Sequence, residues 1–323
     1  MKAIVQDEYG SPDVLELRDI DKPEIADEEV LLRVHAAGVD RSVWHIMTGQ
    51  PYLMRIGGYG LRAPKNPVPG MEVAGVVEAV GKNVTRLQPG DEVFGIGKGS
   101  YAEYARAPED KLALKPPNLT FEQAAVVAIS GSAALQGLRD HGRVEPGQKA
   151  LIIGASGGVG TFAVQIAKAW GADVTGVCST RKVEMVRSIG ADHVIDYTRE
   201  DFAEGDQRYD LILDIGGNSS LARLRRALTP QGTLVIVGGE GGGQWFGGID
   251  RQLRALMLSR FGDQKLRTFV STQNHEDLLV LKEFLESGKL TPVIDRSYPL
   301  SEVPEAIRYL EEGHAQGKVV ITV

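Results

Sequence analysis

The run Leu151-Ile152-Ile153-Gly154-Ala155-Ser156-Gly157-Gly158-Val159-Gly160 constrains this chain more than any other. A short apolar strand enters it and a helix leaves it, with Val159, Ala163, Ile166, Ala167 and Trp170 on one face and Lys168 off that face. The three spaced glycines suit a tight turn, close approach of a pyrophosphate and close helix–strand packing. The helix N-terminus adds unpaired N–H groups and the positive end of its dipole. A second strand follows, which is the context a dinucleotide site requires; a glycine turn that only packs is the competing reading. Ser156, Gly157, Gly158, Val159 and Gly160 are the expected phosphate cradle.

The chain changes texture around this motif. Before Lys115 it is mostly β: Lys2–Gln6, Val30–Ala36, Val73–Val80 and Glu92–Gly95 read as strands punctuated by Gly and Pro, as in a small barrel. Gly75 inside one of them points to a bulge or a close backbone approach. After Lys115-Pro116-Pro117-Asn118, Thr120 with Gln123 three residues on forms a capping box. Strands then alternate with helices: Ala150–Ile153, Val174–Cys178, His193–Ile195, Asp210–Asp214 and Thr233–Val237, each a short apolar run as in a parallel sheet covered on both faces. Asn274–Ser287 and Ser301–Gly313 read as helices and Gly317–Val323 as a last strand. The expected division is 1–122 with 272–323 for one domain and 123–271 for the nucleotide-binding domain.

The end of the second strand selects the cofactor. A site for the unphosphorylated dinucleotide places Asp or Glu there to hold the ribose hydroxyls. Here stand Cys178-Ser179-Thr180-Arg181-Lys182, two hydroxyls and two cations with no acid. Charge-assisted hydrogen bonds suit a 2′-phosphate, so Ser179, Thr180, Arg181 and Lys182 point to NADPH. A solvated helix start is the alternative for the two cations, although cations are disfavoured at a helix N-terminus unless an anion is near.

Charge and cysteine content exclude other classes. With 43 acidic against 36 basic side chains the net charge is -7, which opposes nonspecific binding to nucleic acid or anionic membranes. No secretory signal pattern stands at Met1–Gly10, and the longest uncharged stretch, from Gln123 to just past Gln136, is too short to span a bilayer, so a cytoplasmic protein is expected. Cys178 is the single cysteine, which rules out an intrachain disulfide and a cysteine-rich zinc site.

With Ala37-Gly38-Val39-Asp40, Pro69-Gly70-Met71-Glu72-Val73-Ala74-Gly75, Pro89-Gly90-Asp91-Glu92-Val93 and Gly154–Gly160 in place, the whole chain resembles the medium-chain dehydrogenase/reductase superfamily, in its zinc-free quinone oxidoreductase branch. The resemblance implies an α/β protein: a GroES-like β-barrel catalytic domain and a Rossmann domain with a doubly wound parallel sheet. Zinc-dependent members carry a Cys ligand where this chain has Asp40 and a His ligand where it has Met71, so no metal is expected. Without zinc to stabilise a developing alkoxide, the accessible chemistry is reduction of a quinone or an α,β-unsaturated carbonyl, whose product anion is already delocalised.

The resemblance also implies site residues. Asp40 stands where quinone oxidoreductases usually carry Asn, and it reads equally as a cap on the Arg41-Ser42 turn. His45 falls near a Tyr that orients substrate or delivers a proton, and Tyr52 near a second; packing roles beside Trp44 and in the Pro51 loop are the alternatives. Ser130, together with Ser132, implies a contact near the nicotinamide, Tyr197 one near the adenosine, and Lys318 a C-terminal cofactor contact. Asp214, Gly238 and Gly239 end strands on the ligand side of the sheet. The loop Glu240–Gly248 suits a lid or substrate wall, and Leu253, Leu256, Met257 and Phe261 form an apolar stripe behind it. Relatives assemble as homodimers or homotetramers. Two alternatives stay open: an enoyl-thioester reductase, and an NADPH-binding protein with little turnover.

Overall fold

The computed structural model describes residues 1–238, 243, 245, 247–260 and 262–323. They form two compact units, Met1–Ser132 with Gln273–Val323, and Ala133–Thr272. The sequence sets the first crossing at 122; the structure leaves 123–132 with the first unit. The reason is local: Ile129 N–H donates to Glu72 Oε1 at 2.7 Å, and Ser130 Oγ accepts from Lys318 Nζ at 3.2 Å. Both bonds fasten the start of the helix Ala128–Gln136 to first-unit strands.

The first unit is built on a seven-stranded sheet in the order Ile294–Pro299, Lys318–Thr322, Glu29–Val39, Glu72–Val80, Glu92–Ile96 and Leu112–Leu114, with Tyr104–Pro108 also pairing Glu29–Val39. A two-stranded ribbon, Lys2–Val5 with Glu16–Asp19, stands beside it. Along Glu29–Val39 the inward residues are Val30, Leu32 and Val34, then Ala37 and Val39. A register shift between Val34 and Ala36 causes this change of parity: an extra residue, His35, bulges out and the face of the strand flips. Gly75 lies opposite, and a Cβ there would stand 2.2 Å from Arg33 O, which is the close approach read from the sequence. Two apolar clusters result. One is centred on Val30, Leu32, Val73 and Val93, the other on Met47, Tyr101, Ile307 and Val319.

The second unit is a six-stranded parallel sheet in the order His193–Asp196, Asp173–Cys178, Lys149–Ile153, Tyr209–Asp214, Leu228–Ile236 and Lys265–Thr268. Counted along the chain this is 3-2-1-4-5-6, the order of a dinucleotide-binding sheet. Ala150–Ile153 is buried on successive residues, and Gly160–Ala167 of the helix Gly158–Ala169 is buried throughout, as coverage of both sheet faces demands. The sixth strand was not foreseen. Its residues are Lys265, Leu266, Arg267 and Thr268, and only Leu266 is fully buried, so an edge position hides it from an apolar-run reading.

Caps set the helix limits. Thr120 and Gln123 form the expected capping box on Phe121–Ala124, and Asn274 accepts from Asp277 N–H to start His275–Glu286. No helix among the described residues is long and apolar enough to cross a membrane.

Candidate active site

Each unit carries its own set of groups. In the second unit the chain leaves strand Lys149–Ile153 through Gly154, which has φ +87° and needs glycine there. Gly160 is equally constrained: a Cβ would lie 2.1 Å from Gly154 O. Gly157, the N-cap of Gly158–Ala169, is different, because its Cβ would meet only Gly154 O at 3.6 Å. The turn is thus tied at Gly154 and Gly160 and open at Gly157, with the first-turn N–H groups of Gly158 and Val159 pointing out of the helix start. Ser156 sits in the same turn. Ile215 and Gly216 N–H donate to Ile153 O at 3.0 and 3.3 Å, so the loop after Tyr209–Asp214 borders the turn at the point where strand order reverses.

At the end of the second strand, Cys178 is buried and its thiol is pushed up to about 11 by burial, then by Asp196; it is no nucleophile. Ser179 begins the turn Thr180–Lys182, with Arg181 exposed and Lys182 partly so. No acid follows the second strand in sequence, but the fold brings one from the third strand, since Asp196 pairs with Cys178. Asp196 Oδ2 accepts from Thr180 Oγ1 at 2.6 Å, and Oδ1 accepts the Thr198 hydroxyl and N–H at 2.7 and 3.0 Å. The Thr180 proton is therefore committed within the protein. These bonds, that from Thr180 foremost, hold the Asp196 carboxyl below its ordinary value. Tyr197 is exposed beside this turn, and its N–H donates to Cys178 O.

Asp214 is fully buried. Its carboxylate pairs with Arg251 Nη2 and accepts Gly217 N–H at 3.2 Å, so its charge is spent inside the unit. Burial pushes its carboxyl up and Arg251 pulls it back. Gly238 is required by packing, because a Cβ there would lie 2.0 Å from Ile215 O. Gly239, Phe261 and most of the Glu240–Gly248 loop lie outside the described residues.

In the first unit, Asp40 is the N-cap of the helix Arg41–Thr48 and accepts Ser42 N–H at 2.7 Å through Oδ1. Its Oδ2 is buried without a hydrogen-bond partner among the described residues. His45, on that helix, packs edge-on against Trp44 and holds Gln50 O through Nδ1 at 2.8 Å. A carbonyl only accepts, so Nδ1 carries the proton and Nε2 is the nitrogen left to exchange one. Tyr52 follows the helix and lies under the Arg55 guanidinium.

Lys318 is 2% exposed, and its Nζ donates to Glu72 Oε2 at 2.6 Å and to Ser130 Oγ at 3.2 Å. The lysine thus addresses Glu72 and Ser130, leaving the Ser130 proton to donate elsewhere. Glu72 was not singled out in the sequence. It also accepts Ile129 N–H, and a Cβ on Gly38 would strike its Oε2 at 2.3 Å. Burial pushes the Glu72 carboxyl up while Lys318 opposes it. Ser132 Oγ is buried and unpartnered among the described residues.

Comparison with known proteins shows the family and the fold. Residues 26–117 match the alcohol dehydrogenase GroES-like domain family, and residues 189–321 the family described as zinc-binding dehydrogenase. The chain is 36% identical to the 2-methylene-furan-3-one reductase of Solanum lycopersicum and 35% identical to the chloroplastic NADPH-dependent alkenal/one oxidoreductase of Arabidopsis thaliana, covering 99% of this chain and 79% of each relative. The solved quinone oxidoreductase of Coxiella burnetii superposes with a TM-score of 0.85 at 30% identity, covering 100% of this chain and 99% of that one.

Proposed function

The chain belongs to the medium-chain dehydrogenase/reductase family, among quinone oxidoreductase-like members, and from that premise we propose an oxidoreductase that reduces quinones or α,β-unsaturated carbonyls with NADPH and without zinc. The observation that carries the reading is the glycine turn at the reversal point of a 3-2-1-4-5-6 sheet, with Ser179, Arg181 and Lys182 closing the neighbouring strand. Its open side at Gly157 fits a pyrophosphate.

Bound NADPH supplies the hydride. The N–H groups of Gly158 and Val159, with Ser156, receive the pyrophosphate. Ser179, Arg181 and Lys182 hold the 2′-phosphate, with Thr180 holding the turn through Asp196, and Tyr197 borders the adenosine. Ser130, oriented by Lys318, donates at the nicotinamide end. Protonated His45, anchored through Nδ1, delivers a proton from Nε2 to the enolate or hydroquinone anion, and Tyr52 orients the acceptor. The charge of that anion is delocalised, so hydrogen-bond donors replace a Lewis acid. In support, the Met71 thioether with Asp40 is a poor zinc set. The protein acts in the cytoplasm as a homodimer or homotetramer, which light scattering tests.

The decisive assay is anaerobic NADPH consumption by purified, metal-analysed protein with an ortho-quinone and a short 2-alkenal in parallel, NADH as control and products identified. Turnover with NADPH at sub-stoichiometric zinc is the expected result. Stoichiometric tightly bound zinc, or NADPH binding without turnover of either acceptor, would overturn it.

A further inference from the structure

Arg55 stands out among groups the reaction scheme leaves unused. It is half-buried just past Tyr52 and makes four contacts. Nε donates to Gly49 O at 2.9 Å and Nη2 to Thr48 O at 3.0 Å. The guanidinium carbon lies 4.3 Å from the Tyr9 ring centroid and 4.8 Å from that of Tyr52. Tyr9 is itself held, its hydroxyl donating to Gly60 O at 2.8 Å.

These contacts converge on one short segment. The helix Arg41–Thr48 ends at Gly49, whose φ is +63°. The terminal carbonyls of a helix lack intrahelical partners and form the negative end of its dipole, so a cation there is favourable. A Cβ on Gly49 would lie 2.5 Å from Arg55 Nε and 2.7 Å from the Tyr9 ring, so the guanidinium and Tyr9 occupy the space a side chain would need. The same segment closes a ring with His45. Gly49 and Gln50 N–H donate to His45 O, and Gln50 O holds His45 Nδ1. Moving Thr48–Gln50 therefore moves the carbonyl that sets the imidazole's tautomer and direction.

We propose that Arg55 is a positioning residue for reduction: one guanidinium fixes both the Gln50 carbonyl that orients His45 and the ring of Tyr52. The inference rests on the roles given above to His45 and Tyr52. Only a planar, forked cation serves both ends at once. A lysine ammonium places a single point charge and cannot donate to two carbonyls while also covering two rings at these distances. Outward of Arg55 the chain turns to solvent, with Ile56 and Leu61 each more than two-thirds exposed, so Arg55 is the inner anchor of this loop.

The test compares full-length wild type, Arg55→Lys, His45→Phe and the double variant, by melting temperature, NADPH affinity, and kcat and KM for the 2-alkenal. Arg55→Lys keeps charge and fold, so melting temperature and NADPH affinity should stay near wild type while kcat falls at least about tenfold, the scale of a sub-ångström misplacement of a proton donor. In the double variant Arg55→Lys should cost clearly less than it does alone, because the part of its effect that runs through His45 is already lost and only the part through Tyr52 remains. Wild-type kcat and KM in Arg55→Lys, or a loss that multiplies in full with that of His45→Phe, would overturn the proposal. If His45→Phe itself leaves turnover and its pH profile intact, the underlying site reading fails, and the clamp fails with it.

Discussion

Arg181 and Lys182 are the single side chains proposed to select the cofactor. Thr180 is bonded to Asp196, so on the proposed reading Ser179, Arg181 and Lys182 carry the 2′-phosphate. Replacing Arg181 and Lys182 together by Ala should weaken NADPH binding by about 1.5–3 kcal/mol, the scale of hydrogen bonds to charged groups, and barely change NADH binding. Titration with both cofactors checks this, and equal losses would show that the phosphate is held elsewhere. Lys318 teaches a different lesson. Its motif implies a cofactor contact, yet its ammonium is buried against Glu72, 246 residues away. No local pattern announces such a partner. Lys318→Met would leave Glu72 buried beside Asp40 with no counter-charge, and should cost about 3–5 kcal/mol of stability by denaturant unfolding. A cost below about 1 kcal/mol would mean that water or a proton already compensates Glu72.

Among elements, the glycine turn separates two jobs that its spacing alone merges. Gly160 serves packing, since backbone lies 2.1 Å from its missing Cβ, whereas a Cβ on Gly157 would make only an ordinary contact with Gly154 O at 3.6 Å. Gly160→Val should destabilise the second unit itself. Gly157→Val should leave the circular dichroism spectrum and melting temperature near wild type while abolishing NADPH binding. Retained binding in Gly157→Val would place the pyrophosphate away from this turn. Elements with clear local signals were legible: the Thr120 capping box, the amphipathic helix from Asn274 and the apolar strands of the sheet centre. The polar edge strand Lys265–Thr268 was not, because an edge strand buries few side chains and its pattern carries little hydrophobic signal. The helix-capping alternative for Asp40 is realised in the structure, with its Oδ2 buried and without a hydrogen-bond partner among the described residues.

For the whole molecule, carboxylates set the acid limit. Asp13 is held below its ordinary value by Ser11 and then Arg308, Asp140 by Arg139, and Asp196 by Thr180. A lowered folded value means the unfolded chain binds the proton more readily. That stability is present above the ordinary Asp value of about 3.9 and is lost as pH falls through the folded values. Glu72 and Asp214 carry the opposite sign: burial raises both, so their contribution is lost as pH rises through their folded values. The melting temperature should therefore begin to fall as pH drops below about 3.9. No fall there in a variant with Asp13, Asp140 and Asp196 replaced by Asn, against a fall in wild type, would assign the acid loss to these three groups. The sequence by itself determined the class of this protein: a glycine loop between strand and helix, alternating elements after a β-rich start, and a cationic strand end are local patterns with local physical causes. Tertiary structure alone decided which charges are spent and which remain. Asp196 reaches Thr180, Arg251 reaches Asp214, Lys318 reaches Glu72 and Arg55 reaches the end of the His45 helix only once the chain has folded. Burial makes such pairings obligatory, and sequence spacing does not encode them.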